Sequence, residues 1–376
     1  MKICGIIVEY NPFHNGHYHH IQRAREISQC DVLVAVMSGN FVQRGEPAII
    51  DKWQRAKKAV EYGVDCVIEL PYIYATQSAS HFAKGAIDCL KLAQIDSLVF
   101  GSESNNLEEL QEMADSCIHV DHLKESLHAG HSFPKSYGLL AKEMEPNDIL
   151  GVAYLKELNN TAIKPYTIQR TVHYHDQMIH QQIASASAIR KAIFNHTNIQ
   201  DTTPMTQELE NSVCVQLKDF YPYLRTILLT SNPKELSNIF LFNEGIENHL
   251  INQAMHCATF EEFLNKSTTR RYTTSRIQRS CIQLLNRVTK DEVKNLPPLD
   301  TLRILAFNET GRNYLKFLSE KEIKVASKFA QIPEAYRKLE FRTTLLYTSQ
   351  MDETKRDELI KKEIGGPQYI KSTTPQ

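Results

Sequence analysis

The amino-acid sequence predicts an α/β protein, in which a Rossmann-like parallel-sheet domain is followed by a mainly α-helical C-terminal domain. Apolar runs rich in β-branched residues recur through the first hundred residues, and amphipathic helical patterns separate them. Strand signals vanish after the polar stretch at 195–207, which contains Pro204. Because 376 residues exceed one ordinary core, we expect a first domain over residues 1–200 and a helical domain over residues 205–376.

The first hundred residues alternate between buried strands and helices. Strands are predicted at residues 3–8, 31–37, 66–70 and 97–100, and helices at 17–29, 51–62, 78–92 and 107–114. Later segments predict a helical pair within 132–158, a strand at 167–172, a helix starting near 183, and helices including 261–264 and 275–285. Continuous apolar strands between helices are typical of a parallel sheet whose ligands bind beyond the carboxyl ends of the strands.

Composition and charge exclude several classes of protein. The net charge is −1, so a nucleic-acid partner would have to be bound by a local basic patch. The eight cysteines are scattered without a C-x-x-C pair, which argues against a disulfide framework and a zinc knuckle. No segment approaches the ~18 apolar residues of a membrane helix. We therefore expect a cytoplasmic protein without a membrane partner.

The most informative motif is His14-Asn15-Gly16-His17, which follows the first strand and a Pro-containing turn. A strand, a tight turn and a helix N-terminus together form an anion site, because unpaired N–H groups and the helix dipole face the ligand. Two imidazoles beside such a site suit a triphosphate. The alternatives are two surface histidines on a loop, or a metal site that includes the nearby His19 and His20. The metal site is disfavoured because His17, His19 and His20 would not share one helical face.

A second motif, Ser185-x-Ser187-x-x-Arg190, places hydroxyls at a helix start and an arginine one turn later. These groups can bind phosphate oxygens. The alternative is an ordinary serine N-cap with a solvent-exposed arginine. The polar segment at 38–48 is predicted either as a mobile cover over the site, with Arg44 and Lys52 available to phosphate, or as a plain surface loop.

A basic segment over residues 266–290 contains seven lysines and arginines and no acidic residue. Arg276, Arg279 and Arg287 are expected to share roughly one helical face, and Tyr272 could stack on a base. Such a segment suits RNA phosphates. Its alternative is a solvated basic helix.

Five stretches resemble the tRNA(Met) cytidine acetate ligase family, within the H-x-G-H nucleotidyltransferase superfamily. They are GIIVEYNPFHNGH (5–17), MSGNFVQRGEPA (37–48), FGSE (100–103), PNDILG (146–151) and RRYTTSRIQR (270–279). The resemblance covers essentially the whole chain. It implies a nucleotidyltransferase domain for ATP and acetate, followed by a helical tRNA-binding domain. It also implies acetylation of N4 of the wobble cytidine in elongator tRNA(Met), through acetyl-adenylate, with ATP as substrate and Mg²⁺ as a cofactor.

The resemblance also places the site residues. The catalytic residues would be His14, His17 and Arg190. The nucleotide contacts would be Val8, Glu9, Tyr10, Asn11, Pro12, Phe13, His14, Asn15, Gly16, His17, Tyr18, His19, His20, Ile21, Gly101, Asn147, Arg170, Ser187 and Arg190. The RNA contacts would be Arg270, Arg271, Tyr272, Arg276 and Arg279. No residue is assigned to a metal.

The chemistry of the residues agrees with this expectation. Acetate is already ionised near neutral pH, so it needs no general base to attack the α-phosphorus. The site must instead neutralise charge on the phosphates and on the leaving pyrophosphate. Two alternatives are a small-molecule adenylyltransferase of the same superfamily and a non-catalytic RNA-binding relative. The ~170 residues after the boundary disfavour the first, given a domain mode of ~100–150 residues, and the intact motifs disfavour the second.

Overall fold

A single mixed sheet organises the computed structural model, which describes residues 1–116, 144–170, 184–195 and 197–371. Within those ranges the sheet has eight strands in the order β5-β4-β1-β2-β3-β6-β7, with β8 paired to β6. The strands are β1 (Ile3–Val8), β2 (Val32–Ser38), β3 (Cys66–Leu70), β4 (Ser97–Ser102), β5 (Lys164–Gln169), β6 (Thr301–Phe307), β7 (Lys324–Ala326) and β8 (Gln368–Tyr369). All pairings are parallel except the antiparallel pairing of β3 with β6.

Helices cover both faces of this sheet. Those of the first half are α1 (Asn15–Ser28), α2 (Lys52–Glu61), α3 (Tyr72–Ala75), α4 (Ala79–Leu92), α5 (Leu107–Asp115), α6 (Pro146–Leu158) and α7 (Ala186–Phe194). Those of the second half are α8 (Thr206–Glu210), α9 (Tyr221–Thr230), α10 (Pro233–Leu236), α11 (Ile246–His256), α12 (Phe260–Ser267), α13 (Thr274–Leu285), α14 (Lys290–Lys294), α15 (Glu309–Glu320), α16 (Glu334–Thr348) and α17 (Glu353–Ile364). Short 3₁₀ turns lie at Leu217–Phe220 and Phe329–Gln331.

Alternate residues of the central strands enter two different apolar layers. Ile3, Val34 and Ile68 pack with α4, α6 and α15 on one face. Cys4 and Ala35 point to the other face, where the apolar cluster continues through α1, α2 and α7 into the helices after residue 205. This period-2 division is the expected pattern of a strand buried on both sides. The predicted parallel sheet and the four strands of the first hundred residues are therefore confirmed.

The expectation that strands end near residue 207 is wrong. The run Thr301-Leu302-Arg303-Ile304-Leu305-Ala306-Phe307 forms β6 and pairs with β3. A short apolar run does not by itself distinguish a buried strand from a buried helical segment, so its helical surroundings concealed it. The predicted helices at 261–264 and 275–285 lie within α12 and α13.

Several predicted elements lie partly outside the described residues. The helical pair at 132–158 is described only from residue 144, where α6 forms its second member. The strand predicted at 167–172 corresponds to β5, which ends at Gln169, and residues 171 and 172 are not among those described. The helix predicted from residue 183 begins at Ala186.

A buried ionic cluster joins the last helices to the sheet. Lys52 Nζ contacts Glu69 Oε1 at 2.6 Å and Glu363 Oε2 at 2.8 Å. Arg303 Nη1 contacts the same two carboxylates at 2.9 and 2.6 Å. Glu340 lies beside them and accepts a hydrogen bond from the Tyr72 N–H at 2.7 Å. The Lys52 side chain is only 1% exposed, so the expectation that it is available to phosphate is wrong.

Candidate active site

The turn after β1 carries the H-x-G-H motif, as expected. Tyr10 has a left-handed backbone (φ 50°), and the Asn11–Pro12 peptide bond that follows it is cis. Asn11 Oδ1 accepts a hydrogen bond from the Ile49 N–H at 2.7 Å, which ties this turn to the segment before α2. His14 is the N-cap of α1, and the first N–H groups of this helix already have acceptors: that of Asn15 donates to the Thr202 carbonyl at 3.1 Å, and those of Gly16 and His17 donate to His14.

The two histidines of the motif are held in one geometry and one tautomer. Their rings stack with centroids 3.7 Å apart. His14 Nδ1 accepts a hydrogen bond from the Gly16 N–H at 3.1 Å, and His17 Nδ1 accepts one from the His14 N–H at 3.2 Å. Because a neutral imidazole has one acceptor and one donor nitrogen, both rings carry their proton on Nε2. The pair therefore offers two N–H donors.

Burial keeps these imidazoles neutral at physiological pH. Burial and the cations of Arg170 and Arg190 lower the pKa of His14 to about 3. Burial and the neighbouring His14 and Arg170 lower the pKa of His17 well below its usual value. The pKa of His20 falls to about 4, through burial and Arg170. The positive charge of the site is consequently carried by the two guanidinium groups.

The second motif lies against the turn of the first. Arg190 Nη1 donates to the Asn11 carbonyl at 2.8 Å. Ser185 is the N-cap of α7 and accepts from the Ala188 N–H at 3.1 Å, and its hydroxyl lies 3.0 Å from that of Ser187. Arg190 is thus anchored beside the H-x-G-H turn, which disfavours the alternative of a solvent-exposed arginine.

The third part of the site joins β4, β5 and α6. A Cβ atom on Gly101 would lie 3.3 Å from Arg170 Cγ, so the arginine stem runs directly over this glycine. Arg170 Nη1 donates to Asn147 Oδ1 at 3.4 Å. The structure thus brings Gly101, Asn147 and Arg170 together, although they are widely separated in sequence.

Glu103 organises this third part, and the sequence analysis did not assign it a role. Its Oε2 accepts from the N–H groups of Asn147 and Asp148, each at 3.1 Å, and its Oε1 accepts from Asn147 Nδ2. Asp148 reciprocates by accepting from the Glu103 N–H at 3.1 Å. The amide of Asn147 therefore turns its oxygen toward Arg170. The position of Glu103 directly after β4 is the sequence signal that could have identified it.

Not every residue expected to contact a nucleotide turns its side chain to the site. Val8, Tyr10, Phe13 and Ile21 are core side chains, so a contact there would use the backbone. His19 is exposed on the far side of α1 from the apolar core. Among the residues that the structure describes, no cluster of three or more His, Cys, Asp or Glu side chains could hold a metal ion.

The segment at 38–48 is built into the interior. Phe41 and Val42 are buried, and Phe41 forms a bridge with Pro47. The buried Arg55 donates to the carbonyl groups of Glu9 and Ser38 at 2.6 and 3.1 Å. Burial of this kind does not agree with the predicted mobile cover.

The basic segment is more structured than the sequence suggested. Arg270 and Arg271 are exposed, whereas Arg276 pairs with Glu244 at 3.0 Å. Tyr272 is 6% exposed and donates to the Glu244 carbonyl at 2.8 Å, so its ring leaves no room for a stacked base. Arg287 lies beyond the end of α13 and cannot share its face.

Known proteins are similar to this chain over most of its length. The profile of the HIGH Nucleotidyl Transferase family matches residues 1–363. The tRNA(Met) cytidine acetate ligase of Oceanobacillus iheyensis is 37% identical over 400 residues, covering 98% of this chain and 100% of that protein. The ligase of the same name from Caldicellulosiruptor saccharolyticus is 40% identical over 348 residues, covering 85% and 86% of the two chains.

Solved structures agree over the full chain. The apo crystal structure of Thermotoga maritima TmcAL has a TM-score of 0.90 at 30% identity, covering 99% of this chain and 100% of that one. The same protein with bound alpha-thio ATP has a TM-score of 0.87, with the same identity and coverage. In the part of this chain that the structure describes, no helix is long and apolar enough to cross a membrane.

Proposed function

The chain belongs to the HIGH nucleotidyl transferases and, among them, to the tRNA(Met) cytidine acetate ligase family; from this membership we propose that it uses ATP and acetate to acetylate the wobble cytidine of elongator tRNA(Met) at N4. One observation carries the proposal. Two Nε2–H donors on His14 and His17 lie at a helix N-terminus, near enough to the guanidinium groups of Arg170 and Arg190 for both cations to lower the pKa of His14. That combination suits a polyanion whose charge increases during the reaction.

The proposed first step is attack of an acetate oxygen on the α-phosphorus of ATP. A new P–O bond forms, the bond from the α-phosphorus to the bridging oxygen breaks, and pyrophosphate leaves. His14 and His17 donate hydrogen bonds to phosphate oxygens, while Arg190, Ser187 and the start of α7 neutralise the leaving group. Arg170 and Asn147 complete the nucleotide-binding site next to Gly101.

In the second step the cytosine N4 amine attacks the carbonyl of acetyl-adenylate. The N–C bond forms, AMP leaves with the electrons of the mixed anhydride bond, and the amine gives up one proton. The amine of cytosine is a weak nucleophile, so this step depends on holding it next to the carbonyl carbon. No covalent intermediate on the protein is needed.

Magnesium fits this site as part of the nucleotide complex. Mg²⁺ is commonly held by one or two carboxylates together with substrate phosphates and water, not by a cage of protein ligands. The described residues contain no such cage, and the side chains that we propose to contact the phosphates are histidines, a serine and arginines. We propose that Mg²⁺ enters bound to ATP and supplies additional charge neutralisation.

The tRNA surface is proposed on the basic segment of the second half. Arg270 and Arg271 are exposed, and Arg276 and Arg279 follow them on α13, where they are half-buried. Lysine and arginine contacts to phosphates release counterions and hold RNA without reading its sequence. We propose that nucleotide chemistry lies in residues 1–200 and tRNA binding after residue 205, as the sequence predicts. The two parts share one sheet, because β6 pairs with β3, and β7 and β8 pair with β6.

The experiment is to incubate the protein with ATP, labelled acetate and a tRNA(Met) transcript, then to analyse nucleosides by mass spectrometry. We expect N4-acetylcytidine at the wobble position and one AMP per acetyl group. A transcript with uridine at that position, and a reaction without ATP, are the controls. Strict dependence on acetyl-CoA, or an adenylylated small molecule as the only product, would contradict the proposal.

A further inference from the structure

The short turn at Gln43–Glu46 contacts both proposed binding regions. On the nucleotide side, the Gln43 N–H donates to Glu9 Oε1 at 2.8 Å. On the tRNA side, Arg279 Nη1 donates to the Gln43 carbonyl at 3.3 Å. The turn is closed by the Val42 N–H, which donates to the Glu46 carbonyl at 2.9 Å. It is therefore a hydrogen-bonded connection between the H-x-G-H site and α13.

Gly45 permits the close approach of this turn to α13. Its backbone is left-handed (φ 83°), and a Cβ atom there would lie 2.3 Å from the backbone nitrogen of Arg279. No side chain fits in that space. The turn is therefore in direct contact with α13, the helix that carries Arg276 and Arg279.

Glu46 is the charged residue shared between the two regions. Its Oε2 lies 3.6 Å from Arg190 Nη2, and its Oε1 accepts a hydrogen bond from Gln278 Nε2 at 2.9 Å. The carboxylate is about one-third exposed, so solvent and salt screen its ion pair with Arg190 only in part, and a competing anion can replace it. One carboxylate therefore balances Arg190 on the nucleotide side while it is held on the α13 side.

A triphosphate would compete with Glu46 for Arg190. If phosphate oxygens take the guanidinium, the charge of Glu46 is no longer balanced, and the negative potential beside Gln278 and Arg279 increases. A tRNA phosphate approaching α13 would then be repelled and would compete with Glu46 for the same donors. When pyrophosphate leaves, Arg190 can return to Glu46, and this repulsion ends.

We infer that Glu46 is a positioning residue that makes triphosphate binding and tRNA binding mutually weakening, so that tRNA is admitted after pyrophosphate has left. The inference rests on the proposed function, since it needs phosphates at Arg190 and tRNA on α13. By linkage, the factor by which the triphosphate weakens tRNA binding equals the factor by which tRNA weakens triphosphate binding.

The test measures the dissociation constant of tRNA(Met) for the full-length protein alone, with a non-hydrolysable ATP analogue, and with AMP. For the wild type we expect the analogue to weaken tRNA binding by roughly fivefold or more, and AMP to have little effect because it lacks the β- and γ-phosphates. In Glu46→Gln, which keeps an acceptor for Gln278 but has no charge, we expect the effect of the analogue to shrink toward that of AMP.

Glu244→Gln is the matched control, because Glu244 pairs with Arg271 and Arg276 but not with Arg190. It should tighten tRNA binding equally in all three conditions and leave the ratio unchanged. Gln278→Met removes the other end of the connection and should also reduce the ratio. Direct repulsion between the analogue and tRNA would survive in Glu46→Gln, so an unchanged ratio there overturns the inference.

Two further outcomes separate this inference from the function it rests on. If the wild type acetylates tRNA and binds both ligands without mutual weakening, the inference fails and the function stands. If the wild type binds no tRNA and forms no N4-acetylcytidine, both are overturned.

Discussion

His14 and His17 each use Nδ1 to accept a hydrogen bond from the backbone of their own helix start, from Gly16 and His14 respectively. This exchange fixes both rings before any ligand is bound. A donor that is already oriented costs no reorganisation when charge develops on a phosphate oxygen. The helix cap and the proposed catalytic geometry are therefore one arrangement.

Removing either imidazole should strongly impair acetate activation. We expect His14→Ala or His17→Ala to lower ATP- and acetate-dependent turnover by ~10²–10³, the usual cost of one charge-stabilising donor. The measurement is AMP formation under saturating ATP. His81→Ala is the matched control. His81 is exposed on α4, and in the described part of the chain its ring forms a hydrogen bond with Ser78 alone. Near-normal turnover in either site variant would refute the assignment.

The buried histidines should make the protein lose stability as the pH falls. The pKa of His14 is lowered to about 3 and that of His20 to about 4, so the unfolded chain binds their protons first. Their contribution to the free energy of unfolding is complete above pH ~6.5, the pKa of histidine in the unfolded chain. Below that pH the contribution falls by up to ~1.4 kcal/mol per pH unit for each histidine. Denaturant melts between pH 7.5 and 4.5 should show this, and His20→Asn should reduce the slope. An unchanged slope in that variant would argue against a neutral buried imidazole.

Glu340 should act in the opposite direction. Burial and the neighbouring Glu69 raise its pKa to about 8, so the folded protein holds a proton that the unfolded chain releases above its usual value. Stability from this group is complete at low pH and is lost as the pH rises toward 8. Glu340→Gln mimics the protonated acid and keeps an acceptor for the Tyr72 N–H. We expect its free energy of unfolding to change less than that of the wild type between pH 6 and 9.

Glu103 should affect nucleotide binding without touching the phosphates. In Glu103→Gln one acceptor becomes an NH₂ group that faces other donors at the start of α6, so Asn147 loses its fixed orientation. We expect the KM for ATP to rise by roughly tenfold, since hydrogen bonds to charged groups contribute about 1.5–3 kcal/mol. Glu108→Gln, at an exposed position in the first turn of α5, is the control. A fall in kcat with unchanged KM would contradict the positioning role.

Arg270 and Arg271 should serve tRNA and leave ATP binding alone. The double variant to alanine should weaken tRNA binding and flatten its salt dependence by about one unit of slope per lost contact. Lys84→Ala with Lys91→Ala removes two exposed cations from α4, on the other face of the sheet, and is the matched control. Loss of ATP affinity with normal tRNA binding would show that the proposed division of labour is wrong.

The sequence predicted those features that depend on local order along the chain. The strand, turn and helix around His14 occupy neighbouring positions, and each has its own pattern, so the site could be located before the fold was known. Lys52 and Tyr272 were misjudged because their burial depends on partners such as Glu363 and Glu244, which are distant in the chain or on another element. Glu103 was missed for the same reason, since its role requires α6 to begin beside it.

The place of β6 in the sheet has a consequence for synthesis on the ribosome. β3 has a pairing partner on only one side until β6 arrives, and β6 begins about 230 residues after β3 ends, or roughly 10–50 s later at translation rates of about 5–20 residues per second. An open, apolar strand edge invites pairing with other chains. The nascent protein therefore has to protect the β3 edge for most of its synthesis, and slow translation before residue 301 would prolong the period in which neighbouring nascent chains can aggregate through it.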